Sequence, residues 1–461
     1  MSDAERTCLN AIGLENFVSL GENVGMDNHY QLSDGKHELS GLIRADSVHR
    51  SVYTDRAIFD LEMDRIFGRT WVYVGHDSEV PKPGDYVTRT IGRRPVVLSR
   101  HTDGEVYVVY NSCGHRGAKV CAELHGNAQP FRCPYHGWTF KNNGDLEAVT
   151  MPRGYGDSIN LDDPALGMRR LANVENYRGF VFACVKEETS SLKEWLGPSR
   201  GSIDDIVDRS PSGKVMLNAG IHRYVFRGNW KFQLENTVDM YHVPFSHEST
   251  LGSRGRQFSR RQGDDAGSTI SHEGKAAERW ERRESWGAAR NGHSYTGHQP
   301  VADKKREDPA YLSYVENLRS NHTPERLAEV LAPRRHNTAF YPNMSLQALN
   351  QHVRVICPIA VDRTEILVWP VLFQGAPTEM NQDIIRGLNV THSAASLIQT
   401  DDLENFHRCQ MGSRAENSEW VWFARGVDTD QIDNNGDVIN TGTGELPQRA
   451  QFKAWARLME P

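Results

Sequence analysis

The sequence predicts an α+β protein of two domains, a small all-β module and a larger mixed one. Three observations predict it. At 461 residues the chain is too long for one compact core. From Trp71 to about Val185 short β-rich runs alternate with turn signals, and beyond residue 187 helical and extended patterns succeed one another. The expected boundaries are 1–64 for an N-terminal helical segment packing on the larger domain, 65–186 for the β module and 187–461 for the larger domain.

Residues 1–60 are polar and mixed, with a helix expected from Asp55 to Phe67 that aligns Ala57, Ile58, Leu61 and Ile66 on one side. The β module is read from Tyr86–Thr90, Pro95–Ser99 and Val106–Tyr110, with hairpin turns at Thr102-Asp103-Gly104 and Asn142-Asn143-Gly144-Asp145. Residues 190–208 read as helical, Arg223–Phe226 as strand and 233–247 as helical again. The strongly polar stretch 251–310, with Arg260, Arg261, Arg282, Arg283, Lys304 and Lys305, reads as a surface insertion or lid rather than core. Strands are expected at 339–342, 352–359 and 364–373, and one long helix from Met380 to about Cys409.

Charged residues make up 25% and hydrophobic ones 38%, the balance of a soluble globular protein. No apolar run approaches the ~18 residues that span a bilayer, and the first residues lack a signal-type apolar stretch. A cytoplasmic location is expected. The net charge of -7 argues against nucleic acid and against a basic membrane-binding patch as partners. Seven scattered cysteines suit metal ligation in a reducing compartment better than a disulfide framework.

Two short ligand pairs stand out, Cys113-Gly114-His115 and Cys133-Pro134-Tyr135-His136. Two thiolates and two imidazoles are the donor set of a Rieske-type [2Fe–2S] cluster, in which neutral imidazoles raise the potential to roughly -150 to +300 mV. Gly114, Gly117 and Gly137 permit tight turns, Tyr135 is a candidate donor to a sulfur, and Trp138 a candidate shield against water. A structural zinc site would use the same donor types, but such sites more often begin with Cys-x-x-Cys. Cys121 is expected to be a buried thiol, and His125 a surface loop residue.

The second constellation is the run from Asn229 to His247, in which His242 and His247 stand five apart with Pro244 between them. Two imidazoles and one carboxylate on one face of Fe(II) leave positions open for oxygen and substrate. The carboxylate must come from elsewhere; Asp402 is the best candidate and Asp401 its close competitor. Taken alone, a His-x4-His pair is most often two surface histidines. The upstream Cys/His pairs, Glu235-Asn236 and Asp239 change that balance. Asp239 is a candidate bridge to an imidazole, and Asn236 a candidate to orient substrate or a metal-bound water.

Together these residues resemble the α subunits of the aromatic ring-hydroxylating dioxygenases, which are Rieske non-heme iron oxygenases. The likeness runs from Phe59-Asp60-Leu61-Glu62-Met63 to Trp455, through Cys-x-His-Arg-Gly (113–117), Cys-x-x-His-Gly-Trp (133–138), Asn-Trp-Lys (229–231) and Glu-Asn-x-x-Asp-x-Tyr-His-x4-His (235–247). In texture it is nearest the benzoate, anthranilate and salicylate group, in Val361-Asp362-Arg363-Thr364-Glu365-Ile366 and Asp401-Asp402-Leu403-Glu404. The stretches at 13–45 and 251–310 depart from it.

The resemblance implies a Rieske domain beside a catalytic domain with a large antiparallel sheet flanked by helices. It implies a cluster on Cys113, His115, Cys133 and His136, and a mononuclear Fe(II) on His242, His247 and Asp402. Electrons from NADH would arrive through a reductase and usually a ferredoxin. It further implies a trimeric ring, often with a small β subunit, in which the cluster of one subunit faces the iron of its neighbour across Asp239. The activity expected is O2-dependent hydroxylation of an aromatic ring, with a benzoate-like acid as substrate; the alternative is mono- or dioxygenation of a neutral mono- or polycyclic arene. Arg93, Arg94, Arg116 and Lys119 are candidates for docking the electron donor, and Arg334, Arg335 and Arg354 for clamping a substrate carboxylate. A Rieske electron carrier needs only the β module, and a zinc-stabilised binding protein would be colourless.

Overall fold

The computed structural model describes residues 39–156, 159–247, 286–288, 290–297, 308–415, 417–434 and 437–461. Cys8, most of the 13–45 stretch, and Arg260, Arg261, Arg282, Arg283, Lys304 and Lys305 lie outside the described residues.

The N-terminal helix spans Arg56–Arg65. Asp55 caps it by accepting the amides of Ala57 and Ile58. Its inner face buries Ile58, Phe59, Glu62 and Met63. Glu62 is the unusual member. Its carboxylate accepts from Lys231 Nζ (2.6 Å), Trp230 Nε1 (2.8 Å) and Trp455 Nε1 (2.7 Å). Three charge-assisted or indole donors satisfy a buried acid, so this helix is fastened to two distant parts of the larger domain.

The β module begins and ends in one small sheet, where Val72–His76 pairs antiparallel with Phe180–Cys184, itself paired with Asn173–Tyr177. Between them, a four-stranded sheet runs in the order Val106–Tyr110, Arg94–Arg100, Asp85–Ile91, His125–Asn127, and a three-stranded one joins Phe131–Arg132, Thr139–Phe140 and Leu146–Ala148. Val97, Val109, Phe131, Trp138 and Phe140 form their shared core, and Cys113 and Cys133 belong to it.

The larger domain is organised on a nine-stranded antiparallel sheet among the described residues. Its order is His222–Phe226, Arg363–Pro370, His352–Ala360, Met344–Gln347, Arg335–Phe340, Ser294–Gly297, Trp286–Ala288, Val438–Asn440, Gln431–Ile432. Alternation along the strands separates two buried faces. Tyr224, Ile356, Ile366 and Val368 join one core with Phe232, Phe406 and Trp455 of three helices, Trp230–Thr237, Gln399–Gly412 and Leu446–Met459. Leu346, Val353, Val355 and Leu367 face the other way, onto Ile203 and Ile206 of the Arg200–Asp208 helix.

Two expectations are corrected. Within the stretch expected as surface insertion, Trp286–Ala288 and Ser294–Gly297 are interior strands of the large sheet. Ser294 and Thr296 are buried hydroxyls where alternation would call for apolar side chains, so the pattern hid them. The single helix expected over 380–409 is two, Thr378–Thr391 and Gln399–Gly412. Ser396 holds the break: its hydroxyl donates to Thr391 O (2.7 Å) and accepts from Gln399 N (3.2 Å). Serine competes with helical backbone bonding in this way.

Candidate active site

The two Cys/His loops share one backbone design despite their different spacing. Cys113 N donates to Ala118 O and Gly117 N to Cys113 O; Cys133 N donates to Trp138 O and Gly137 N to Cys133 O. Gly117 and Gly137 take positive φ, 70° and 72°, which a side chain would oppose. The loops thereby present two buried thiols side by side, with the amides of His115 and Arg116 directed at Cys113 Sγ. The rings of His115 and His136 lie 4.7 Å apart at the same tip. His115 stacks on buried Trp138 at 4.9 Å, and Trp138 Nε1 donates to Tyr155 Oη (3.0 Å). His115 Nδ1 is buried without a partner. Two sulfurs and two imidazoles at one tip, backed by directed amides, fit a Rieske cluster. Tyr135 packs against His136 at 3.8 Å and is 60% exposed, making no hydrogen bond to a sulfur among the described residues. Cys121 is buried and His125 lies on an exposed edge strand.

The second site is assembled from two helices and a turn. Asn229 caps the Trp230–Thr237 helix by accepting Lys231 N, and its chain then breaks into the short Val243–Ser246 helix at Pro244. That break carries His242 and His247 onto the same side, their rings 5.3 Å apart at 79°. Asp402, in the first turn of the Gln399–Gly412 helix, meets both: its Oδ1 lies 3.5 Å from His242 Nε2 and 3.4 Å from His247 Nε2. The three residues offer ligand atoms all within 4.8 Å of one another. Asn236 Nδ2 donates to Asp402 Oδ1 (3.1 Å) and lies 3.2 Å from His242 Nε2.

The outer ring nitrogens are partnered separately. Asp401 Oδ2 is 3.3 Å from His247 Nδ1, and Asp239 Oδ2 is 3.4 Å from His242 Nδ1. Asp239 Oδ1 accepts the amides of Tyr241 (2.6 Å) and His242 (3.3 Å), which orients the carboxylate. Asp401 and Asp402 are thus not equivalent: Asp402 is buried and points inward, while Asp401 is partly exposed and backs His247. The pKa of His242 is raised: burial opposes its charging, but Asp239 and Asp402 outweigh that cost. Two imidazoles and one carboxylate with ligand atoms this close fit a mononuclear ferrous ion.

Other candidates fare differently. Arg93 and Arg94 pair with Asp60 and Asp64 of the N-terminal helix, so they are committed within the fold. Arg116 and Lys119 remain exposed. Arg335 pairs with Asp205 and Arg334 is exposed, whereas Arg354 is 4% exposed. Glu235 faces away from the triad; its Oε1 accepts from Tyr53 Oη (3.0 Å), and burial pushes its carboxyl up to about 8. A cavity of about 590 Å³ opens between the Asp85–Ile91 and Arg363–Pro370 strands, lined by Arg89, Glu365 and Trp369, and none of the triad borders it.

Comparison with known proteins agrees with this geometry. Residues 70–160 match the Rieske [2Fe-2S] domain, and residues 216–458 the ring hydroxylating alpha subunit (catalytic domain). The chain is 34% identical to toluate 1,2-dioxygenase subunit alpha of Pseudomonas putida, over 79% of this chain and 78% of that one. It is 32% identical to the 2-halobenzoate 1,2-dioxygenase large subunit of Burkholderia cepacia, over 82% and 79%. Naphthalene 1,2-dioxygenase with indole bound in its active site superposes with a TM-score of 0.78 at 25% identity, covering 92% of this chain and 94% of that one. The chain therefore belongs to the ring-hydroxylating dioxygenase alpha subunits, with a Rieske [2Fe–2S] domain ahead of a catalytic domain that binds a mononuclear iron.

Proposed function

We propose that this chain hydroxylates the ring of a benzoate-like aromatic acid, with its iron on His242, His247 and Asp402 and its cluster on Cys113, His115, Cys133 and His136. The observation that carries the reading is the convergence of His242 Nε2, His247 Nε2 and Asp402 Oδ1 in the same chain as a paired Cys/His tip. Bound in these places, the cluster supplies electrons drawn from NADH through a reductase and ferredoxin, and the iron supplies activation of O2 beside the ring.

The chain's own residues do the rest. Asp401, with its carboxylate hydrogen-bonded to His247 Nδ1, holds the proton on that nitrogen and leaves Nε2 free to ligate; Asp239 faces His242 Nδ1 across 3.4 Å and favours the same tautomer by its charge. Asn236 positions Asp402 through its amide. Asp239 is also the proposed bridge between subunits. Its side chain is 28% exposed, and among the described residues it contacts neither His115 nor His136 of its own chain. The imidazole it would meet is proposed to be another copy's, in a homotrimer with a small β subunit, α3β3.

The domain limits 65–186 and 187–461 are proposed on the same basis. Turnover of benzoate, anthranilate, salicylate, phthalates and unsubstituted arenes by the purified oxygenase with reductase and ferredoxin tests the substrate. Consumption of neutral polycyclic arenes alone would replace the acid reading with its alternative.

A further inference from the structure

The sheet face beneath the catalytic helices carries buried polar groups that the triad leaves unused. Arg354 stands in register with Val368, two pairs along from the Ile356–Ile366–Tyr224 row, so it shares their face of the sheet. That face packs on Phe232 and Phe406, from the helices that bear Asn236 and Asp402. Arg354 is 96% buried by its 4% exposure. Among the described residues it has no carboxylate partner, and its Nε is buried without any acceptor. Around it, Tyr224 Oη, His352 Nδ1 and Gln347 Oε1 are also buried and unpartnered. His352 stacks at 4.4 Å on His392, which closes the Thr378–Thr391 helix.

This group lies within electrostatic reach of the metal triad. Tyr224 lies within electrostatic range of both Arg354 and Asp402, and His392 within range of Arg354 and His247. Gln399, whose side-chain amide is buried and unpartnered, precedes Asp402 by one helical turn. Burial first, then neighbouring cations, push both His352 and His392 well below the usual imidazole range, so they are neutral at physiological pH. Arg354 is then the cation of the recess, and one positive charge calls for a monoanion. A buried guanidinium without a counter-charge is unfavourable, and its planar fork matches a carboxylate in two parallel hydrogen bonds.

We propose that Arg354 is the specificity-determining anchor for the carboxylate of an aromatic monocarboxylate substrate, in a recess completed by Tyr224, Gln347, His352 and His392. The proposal rests on the aromatic-acid reading of the function. Its chemistry leaves the ring of the substrate to extend from the anchor toward the His242–His247–Asp402 side.

The test compares benzoate with benzamide, which has the same shape and no charge, by calorimetric titration of the intact oxygenase. Wild type is expected to bind benzoate at least about 100-fold more tightly than benzamide, the scale of a buried charge pair. Arg354→Gln is expected to erase that preference and to raise the KM for benzoate by a similar factor. The ratio of benzoate to toluene kcat/KM should fall with it, and Arg354→Lys should recover part of the loss. Equal binding of benzoate and benzamide by wild type overturns the proposal without need of a variant. Equal loss of both ligands in Arg354→Gln, with a lowered melting temperature and no recovery in Arg354→Lys, also overturns it, by showing a structural arginine. Benzoate turnover with an unchanged KM in Arg354→Gln removes the anchor and leaves the function standing; turnover of neutral arenes alone by wild type removes both.

Discussion

His242 and His247 show how single residues are tuned by groups that never touch the reacting centre. Each offers Nε2 inward and has a carboxylate at Nδ1. Asp401→Ala is expected to weaken iron binding by about 10- to 100-fold, whereas Asp402→Ala removes a donor atom and should leave the mononuclear site empty. Competition with a ferrous chelator separates the two outcomes. Asp239→Asn should keep both metal centres yet fail in electron delivery, seen as a cluster that is reduced normally but not reoxidised with substrate present; full activity in that variant would remove the bridge. Other buried histidines weaken the fold in acid. His293 Nε2 donates to Trp195 O (2.9 Å) and Nδ1 accepts Tyr341 N (2.9 Å), so only the neutral Nε2–H tautomer fits. Burial pulls His293 down to about 4, and His76 likewise. Between pH 6.5 and 4 the unfolded chain binds protons that the folded one does not, so stability is present above 6.5 and is lost as the pH falls. Each ring is expected to cost roughly 2 kcal/mol between pH 7 and 5. Denaturant melts at the two pH values check this, and equal stability would contradict it.

At the scale of elements, the N-terminal helix depends on one buried acid. Glu62 and Lys231 both have fully buried side chains, and the lysine pKa is lowered by burial against the pull of Glu62. Lys231→Met leaves that carboxylate with its indole donors alone, and is expected to cost about 3–5 kcal/mol. Glu62→Gln combined with Lys231→Met should recover part of this, because neither charge then remains; thermal melting of both variants reads the difference. The Asp55–Phe67 helix and the strand at 352–359 were legible because their apolar periodicity is clear. The run expected as one strand at 364–373 divides into Arg363–Pro370 and Leu372–Phe373, the latter paired with Val215–Met216 in a separate sheet. The break at His392 was not legible, since Ser393, Ala394, Ala395 and Ser396 carry no helix-breaking residue and the interruption rests on serine hydrogen bonds. Strands at Trp286–Ala288 and Ser294–Gly297 were hidden in a polar stretch, and their place is decided by neighbours distant in sequence.

For the whole molecule, the two sites define what purification should yield. About three irons per chain are expected, two in the cluster and one alone; two would indicate an electron carrier, and a colourless protein would indicate zinc. Native mass measurement tests the proposed trimer. Among the described residues no helix is long and apolar enough to cross a membrane. The sequence by itself determined the donor types, their order and their spacing, because ligand chemistry depends on side-chain identity within short loops. The Cys/His pairs and His242 with His247 were therefore readable as candidate ligands before any fold was known. Only the tertiary structure decided which aspartate faces inward. Asp401 and Asp402 are adjacent on one helix, and a rotation of about 100° per residue sends their carboxylates to opposite sides of His247. It likewise decided that Arg354 is buried, because burial follows from what the opposite helices cover and not from the charge of a residue.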